Sequence, residues 1–301
     1  MKHTLLALFR RNFPFARREE ETALAILENP ENRIFVHKDD QETIVGAAVV
    51  HKNNVLLLCV DEPFRNRGIG TKLLTEAEAH VKNVGYTEIT IGAGDDYLCP
   101  GVPVKEMPFE EIIENIDLHP LLPEKNASYY IRRGYIHAWG DCNCFDMHMP
   151  LTKGLLSKKE FDTPGILYRF ARLSDIPAVL DCVIAAHPDF ADYYREEDSY
   201  EPDSVNKILI ALDGELVVGT LMVDFETEGE GVGSIGCTTV RPSHQGRKIA
   251  ANMILKGAKY LYENGMREGF LGYTYSGLDK LYGIAGYRVC AFYFMAKKLL
   301  A

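Results

Sequence analysis

Two stretches of this chain, about 180 residues apart, carry the same strand–turn–helix frame, and no other feature limits the fold as strongly. The first runs Val60-Asp-Glu-Pro-Phe-Arg65-Asn-Arg-Gly68-Ile-Gly70-Thr-Lys-Leu73-Leu74. The second runs Val240-Arg-Pro-Ser-His-Gln245-Gly-Arg-Lys248-Ile249-Ala250. Register holds beyond the turn: Val60 matches Val240, Ile69 matches Ile249, and Leu73 and Leu74 match Met253 and Ile254. Farther along, Val81 matches Leu261 and Gly85 matches Gly265. A chance repeat would not stay in step over a strand, a turn and a helix. The chain is a tandem of two α/β domains, as its 301 residues also suggest. The expected division is 1–152 and 165–301, with the lysine-rich stretch Pro150 to Pro164 as linker.

Each copy has its own chemistry at the turn. In the first, an apolar strand (Val55 to Val60) enters a basic turn that opens a helix with Ile69, Leu73, Leu74, Ala77 and Val81 on one face. Free backbone N–H groups and the positive end of a helix dipole there favour an anion. Gly68 and Gly70 present no Cβ to an approaching phosphate, and Arg65 and Arg67 add charge. A dinucleotide fingerprint would need a third glycine where Leu73 stands, and the Gly-Lys-Ser/Thr ending of a P-loop is missing. In the second copy Lys248 replaces the first glycine, which predicts weaker pyrophosphate binding.

The pattern Arg65-x-x-Gly68-x-Gly70 resembles the acyl-CoA signature of the GNAT superfamily of N-acetyltransferases. A second motif of that family, a tyrosine four residues before Gly-aromatic, is similar to Tyr130…Gly134-Tyr135 and to Tyr282…Gly286-Tyr287. The resemblance implies a mixed sheet in each half with β-β-β-α-β-α-β order. It implies acetyl-CoA as cosubstrate and a primary amine, on a small molecule or a peptide, as acceptor. Backbone from Leu57 through Leu58, Cys59 and Val60 would meet pantetheine, and Arg65, Asn66, Arg67, Gly68, Ile69, Gly70 and Thr71 would hold the pyrophosphate. In the second half Thr238, Thr239 and Val240 match the strand, and Gln245, Gly246, Arg247, Lys248, Ile249 and Ala250 match the turn. Tyr130 and Tyr282 take the place of the acid that protonates the departing thiolate. The alternative is an acyl-CoA-binding sensor or interaction module without turnover, or one active domain beside a degenerate copy.

Composition narrows the partners. A net charge of −10 argues against non-specific binding to nucleic acid or to an anionic membrane. Seven cysteines, an odd number without a framework spacing, predict reduced thiols and a cytoplasmic setting. The run Leu5 to Phe9 is too short for a signal peptide, and no stretch reaches the ~20 apolar residues of a membrane span. Cys142-Asn-Cys144 has no second ligand pair nearby, so no metal site is expected. Cys59 and Cys237 lie on the motif strands without an adjacent histidine, which points to packing rather than an acyl-enzyme.

Local patterns also place the elements. Hairpins are expected at 34–51, at 207–225 over Asp213-Gly214, and at 135–149. Ser174 is expected to cap a helix, and short helices are expected at 109–116, 126–133 and 278–285. Glu62, Glu226 and Glu228 are the carboxylates nearest the expected cleft, and none stands out as a base. The first half carries an extra stretch before its tyrosine, Tyr97-Leu-Cys-Pro-Gly-Val-Pro103, where a substrate lid would sit.

Overall fold

The computed structural model describes residues 1–14, 16, 18, 20–92, 97–106, 125–140, 144–225, 227, 229–275 and 277–300. The expected helix at 109–116, Cys142, Glu226 and Glu228 lie outside the described residues. The chain forms two compact units, Met1–Phe145 with Cys290–Ala301, and Asp146–Val289. This differs from the division expected at 152 and 165. The final strands of the chain belong to the first unit, and the strand after residue 145 belongs to the second. The alternating pattern marks a strand, but hydrogen bonding chooses its neighbour.

The first unit opens with helices α1 (Lys2–Asn12) and α2 (Glu20–Glu28). Strands β1 (Arg33–Lys38), β2 (Ile44–His51) and β3 (Asn54–Val60) follow as an antiparallel meander. Helix α3 (Ile69–Asn83) and strand β4 (Glu88–Ile91) come next. Strand β5 (Val102–Glu106), helix α4 (Lys125–Ile131) and the short strand β6 (Ile136–His137) complete the N-terminal part. Helix α3 buries Ile69, Leu73, Leu74, Ala77 and Val81, the face that its spacing predicts.

The second unit holds the part of β7 (Cys144–Pro150) from Asp146 onward, β8 (Ile166–Phe170) and α5 (Ile176–Ala186). Strands β9 (Lys207–Asp213), β10 (Leu216–Asp224) and β11 (Val232–Val240) form its meander. Helix α6 (Ile249–Glu263), strand β12 (Glu268–Tyr275) and helix α7 (Asp279–Gly283) follow. Its sheet runs β7-β12-β11-β10-β9-β8. Strand β13 (Arg288–Phe294) then leads the chain back into the first unit, where β14 (Ala296–Leu299) ends it.

The first unit's sheet therefore runs β1-β2-β3-β4-β14-β6. Strand β14 lies antiparallel to β4, from Ala296 opposite Ile91 to Leu299 opposite Glu88. The expected 135–149 hairpin does not form, because β6 pairs with β14 while β7 lies in the other sheet. The cap of α5 also differs. Asp175, not Ser174, is the N-cap, and its carboxylate accepts from the Arg172 N–H at 2.8 Å while the Arg169 guanidinium clamps it.

Both sheets open at the corresponding place. Strands β3 and β4 pair in parallel only at Asn54–Thr90 and Val55–Ile91. Strands β11 and β12 pair only at Val232–Glu268 and Gly233–Gly269. Beyond those pairs the two strands part, so in the first unit the edge of β3 that faces β4 has no strand partner from Leu56 onward among the described residues.

Candidate functional site

A cleft of about 680 Å³ fills the gap in the first unit. Residues Val55 to Val60 of β3 form one wall, and Ile91, Gly92, Cys99 and Gly101 to Pro103 contribute to the other. Arg65, Asn66, Gly68, Gly70 and Thr71 close one end, and Tyr129, Tyr130, Arg132 and Arg133 approach from the segment around α4. Phe9, Asn12 and Phe13 come from the end of α1. The lid expected at 97–103 is partly a strand, since β5 pairs with residues of β13 from Ala291 to Phe294. Gly101 has a packing reason to be glycine: a Cβ there would lie 2.8 Å from Met295 Sδ and 2.9 Å from the Phe294 carbonyl.

The turn has the same conformation in both copies. Asn66 and Gly68 have φ of 64° and 82°, and Gly246 and Lys248 have φ of 78° and 65°. Glycine enters this left-handed region freely, whereas lysine enters it at a cost of roughly 1–2 kcal/mol. Nothing lies within 4 Å of a Cβ built on Gly68, so the open space there faces outward rather than into the protein. Ile69 is buried against the core, and the Arg67 guanidinium lies over the Phe64 ring, 5.4 Å from its centroid. Neither residue lines the cleft, so Ile69 can offer only its backbone N–H.

Arg65 is fixed rather than loose. Its Nε donates to the Val60 carbonyl at 2.8 Å and its Nη2 to Asn12 Oδ1 at 2.8 Å. Asn12 in turn donates to Asp61, which Arg11 clamps at 2.8 and 2.7 Å. Partial burial pushes the Asp61 carboxyl up, but the bonds from Arg11 and Asn12 outweigh it and hold the group below its ordinary range. The second unit carries the same pair between a helix and the residue after the strand, with the charges reversed, as Arg241 binds Asp181 on α5. Neither pair was evident from the motif, although the sign reversal between Asp61 and Arg241 was legible.

Tyr130 is 7% exposed, lines the cleft and makes no side-chain hydrogen bond among the described residues. Its ring stands edge-on to Tyr129 and Tyr135, with centroids 5.0 and 5.4 Å away. Burial drives its phenol far above the usual value, and the neighbouring Tyr129 adds to the shift. The hydroxyl therefore keeps its proton near neutral pH. Burial likewise pushes the Cys59 thiol to about 12 and the Cys237 thiol to about 12. Neither is a thiolate nucleophile near neutral pH, as their surroundings in the sequence suggested. Glu62 is exposed in the turn before α3 and does not line the cleft.

The corresponding residues of the second unit are differently engaged. Tyr282 Oη lies 3.3 Å from Thr238 Oγ1, and its phenol is pushed up to about 12 by burial. Thr239 bonds Thr220 at 2.6 Å, and Tyr194, fully buried, donates to the Cys237 carbonyl at 2.6 Å. At the turn, Gln245 donates to the Val240 carbonyl at 3.2 Å, as Arg65 does to Val60. Arg247 and His244 both reach one Asp213 oxygen, at 3.1 and 3.3 Å. The Lys248 ammonium lies 5.5 Å from the Phe161 ring centroid. Ile249 is buried and Ala250 half-buried, as Ile69 and Gly70 are in the first copy.

The acetyltransferase (GNAT) family profile matches residues 2–97 and 176–282, one stretch in each half. The chain belongs to this family. Solved GNAT structures share the fold. A GCN5-related glucosamine N-acetyltransferase region in a fungal multi-domain GH3 beta-N-acetylglucosaminidase is 16% identical with a TM-score of 0.73. That match covers 98% of this chain and 36% of the fungal one. A tandem GNAT protein from the clavulanic acid biosynthesis pathway is 14% identical with a TM-score of 0.65, covering 100% of this chain and 95% of its own. A GCN5-related N-acetyltransferase from Sphaerobacter thermophilus is 18% identical with a TM-score of 0.61, covering 93% and 85%. No curated protein matches the sequence. At these identities the structural likeness establishes the tandem GNAT fold. Among the described residues, no group of His, Cys, Asp and Glu could hold a metal ion, and no helix is long and apolar enough to cross a membrane.

Proposed function

We propose that the first unit binds acetyl-CoA in its cleft and transfers the acetyl group to a primary amine. The observation that carries this reading is the parting of β3 and β4 over a cleft that ends at the left-handed Gly68 turn. The strand edge from Leu57 to Val60 offers backbone hydrogen-bonding groups to a pantetheine arm and to a polarised carbonyl. The backbone N–H groups from Gly68 to Thr71, at the start of a 15-residue helix, would hold the pyrophosphate. When bound, acetyl-CoA supplies the activated acetyl thioester. Tyr130 holds a proton on its hydroxyl at the cleft wall and gives it to the departing sulfur. The proton lost by the amine passes to solvent, since no carboxylate among the described residues lines the cleft.

The second unit is the weaker site in this reading. Its cations at the turn are engaged by Asp213 and Phe161, and the Asp213 carboxylate beside the turn opposes an incoming phosphate. Calorimetric titration with acetyl-CoA should show one tight site per chain. A thiol-release assay over primary amines, with glucosamine among them because of the fungal relative, would identify the acceptor. Two equal sites, or thiol release from no amine in the panel, would count against this assignment.

A further inference from the structure

The two copies differ at one joint in a coordinated way. In the first unit Arg133 Nη2 donates to Thr71 Oγ1 at 2.7 Å, on the first turn of α3. Its Nη1 donates to the Tyr129 carbonyl at 2.7 Å, and its guanidinium lies over the Tyr129 ring, 3.7 Å from the centroid. The Tyr129 hydroxyl is buried without a hydrogen-bond partner among the described residues, and a Cβ built on Gly70 would lie 3.5 Å from it. Three residues thus fasten α4 to the start of α3.

The matching positions of the second copy are all apolar: Ala251 for Thr71, Leu281 for Tyr129 and Ala285 for Arg133. Ala251 and Ala285 are 2% and 0% exposed, so the second joint closes by simple packing. An apolar joint is therefore enough to hold this part of the fold together. The polar version adds direction, because a planar guanidinium with two bonds and a stacked ring fixes an angle that packing alone leaves soft. The residue whose angle it fixes is Tyr130, which follows Tyr129 directly and packs edge-on against it. Among the described residues Tyr130 has no side-chain hydrogen bond of its own to orient it.

We infer that Arg133, Thr71 and the Tyr129 ring form a clip that positions Tyr130 over the parted strands. Arg133 is a positioning residue, acting through Tyr130 rather than on the reacting atoms. The clip also ties the segment that carries Tyr130 to the turn proposed for the pyrophosphate. The inference rests on the reading of Tyr130 as the acid, and the test separates the two.

The test imports the second joint into the first as Thr71→Ala/Tyr129→Leu/Arg133→Ala, a combination the chain already tolerates elsewhere. In ligand-free protein with ring-labelled tyrosine, the Tyr130 carbon resonance, assigned through Tyr130→Phe, should shift or split in the triple variant. An unchanged resonance overturns the clip whether or not the protein is an acetyltransferase. In turnover at saturating acetyl-CoA, kcat should fall by about 10-fold. On a Tyr130→Phe background the triple change should cost little more, because both act through one group. A loss confined to acetyl-CoA affinity would show Arg133 to be a phosphate ligand instead, and one fully additive with Tyr130→Phe would show that it acts apart from Tyr130; either overturns the clip. Tyr129→Phe keeps the stacked ring and should behave as wild type; an equal loss there would also overturn the clip. Wild-type protein that binds acetyl-CoA but never releases thiol would count against Tyr130 as acid while leaving the resonance test standing.

Discussion

Helices α3 and α6 begin alike and are buried differently, and the difference shows how one frame serves two ends. Across the turn and first helical residues, 61–70 and 241–250, the pattern of buried and exposed positions is the same. Farther along, α3 buries a single face, whereas α6 also buries Ala251, Asn252, Leu255 and Ala258. At Asn252 the covering element is the linker. Asn252 accepts from the Phe161 N–H at 2.7 Å and donates to the Phe161 carbonyl at 2.9 Å, and Glu160 pairs with Lys256 at 2.7 Å. What the sequence presents as a lysine-rich spacer is a strap on the second unit. At the first turn the corresponding position is Lys72, which is exposed. The first helix thus leaves its start open beside a cleft, while the second is packed and tied down.

The hardest test of this contrast removes the tail. Truncation after Val289 deletes β14 from between β4 and β6, exposing two strand edges and removing the bond from Lys298 to Glu78 on α3. The first unit should lose its cooperative fold, seen as hydrogen-exchange protection lost from β4 and α3. Retained protection there would mean that the tail is dispensable.

Next in size, Gly68→Glu adds like charge and a left-handed strain to the open turn, and should weaken acetyl-CoA binding by more than about 100-fold. Lys248→Glu is the matched change in the second copy and should leave the tight site intact. Calorimetry on both, with thermal melts to confirm folding, decides which turn binds.

Tyr130→Phe should lower kcat by about 100-fold, the usual scale for a general acid, with acetyl-CoA affinity nearly unchanged. Tyr282→Phe is the comparison. Should it cost more activity than Tyr130→Phe, the working unit is the second.

A smaller effect separates the units by pH. Asp224, at the end of β10, has its carboxyl pushed up to about 6 by burial, with Glu196 adding to the shift. A raised folded-state value means that the protonated form is favoured in the fold. Its stabilising contribution is complete below the ordinary value near 4 and is lost as pH rises through about 6. Asp224→Asn should therefore stabilise the second unit by about 3 kcal/mol at pH 7.5. The gain should vanish near pH 4, read as the difference in urea midpoint between variant and wild type. A gain that is the same at both pH values would rule out the buried carboxylate charge as its cause.

The smallest expected change is Lys248→Gly. Relief of the left-handed lysine should add about 1 kcal/mol, partly offset by the lost contact with Phe161. Because no neighbour crowds a Cβ at the matching Gly68, the gain should appear in melting temperature. A stronger second acetyl-CoA site in this variant would show that the lysine side chain, and not Asp213, obstructs it.

Much of this was legible in the residues themselves. The repeat, the glycine turn, the buried face of α3 and the tyrosine four residues before Gly134 depend on local spacing. Local spacing fixes which backbone and side-chain groups fall on one side of an element. Asp61 against Arg241, and Thr71, Tyr129 and Arg133 against Ala251, Leu281 and Ala285, were also there to be compared. Their meaning required knowing that Arg11 faces Asp61 and that Arg133 reaches Thr71 across 62 positions of chain. The pairing of strands lay beyond the sequence for a firmer reason. The local pattern places a strand at 143–149 and strands at the end of the chain, but a strand's edges offer the same N–H and C=O groups to any partner. Which edge each strand joins is settled by the pairing and packing of the assembled chain. Only the tertiary structure could decide that the last strand completes the first sheet.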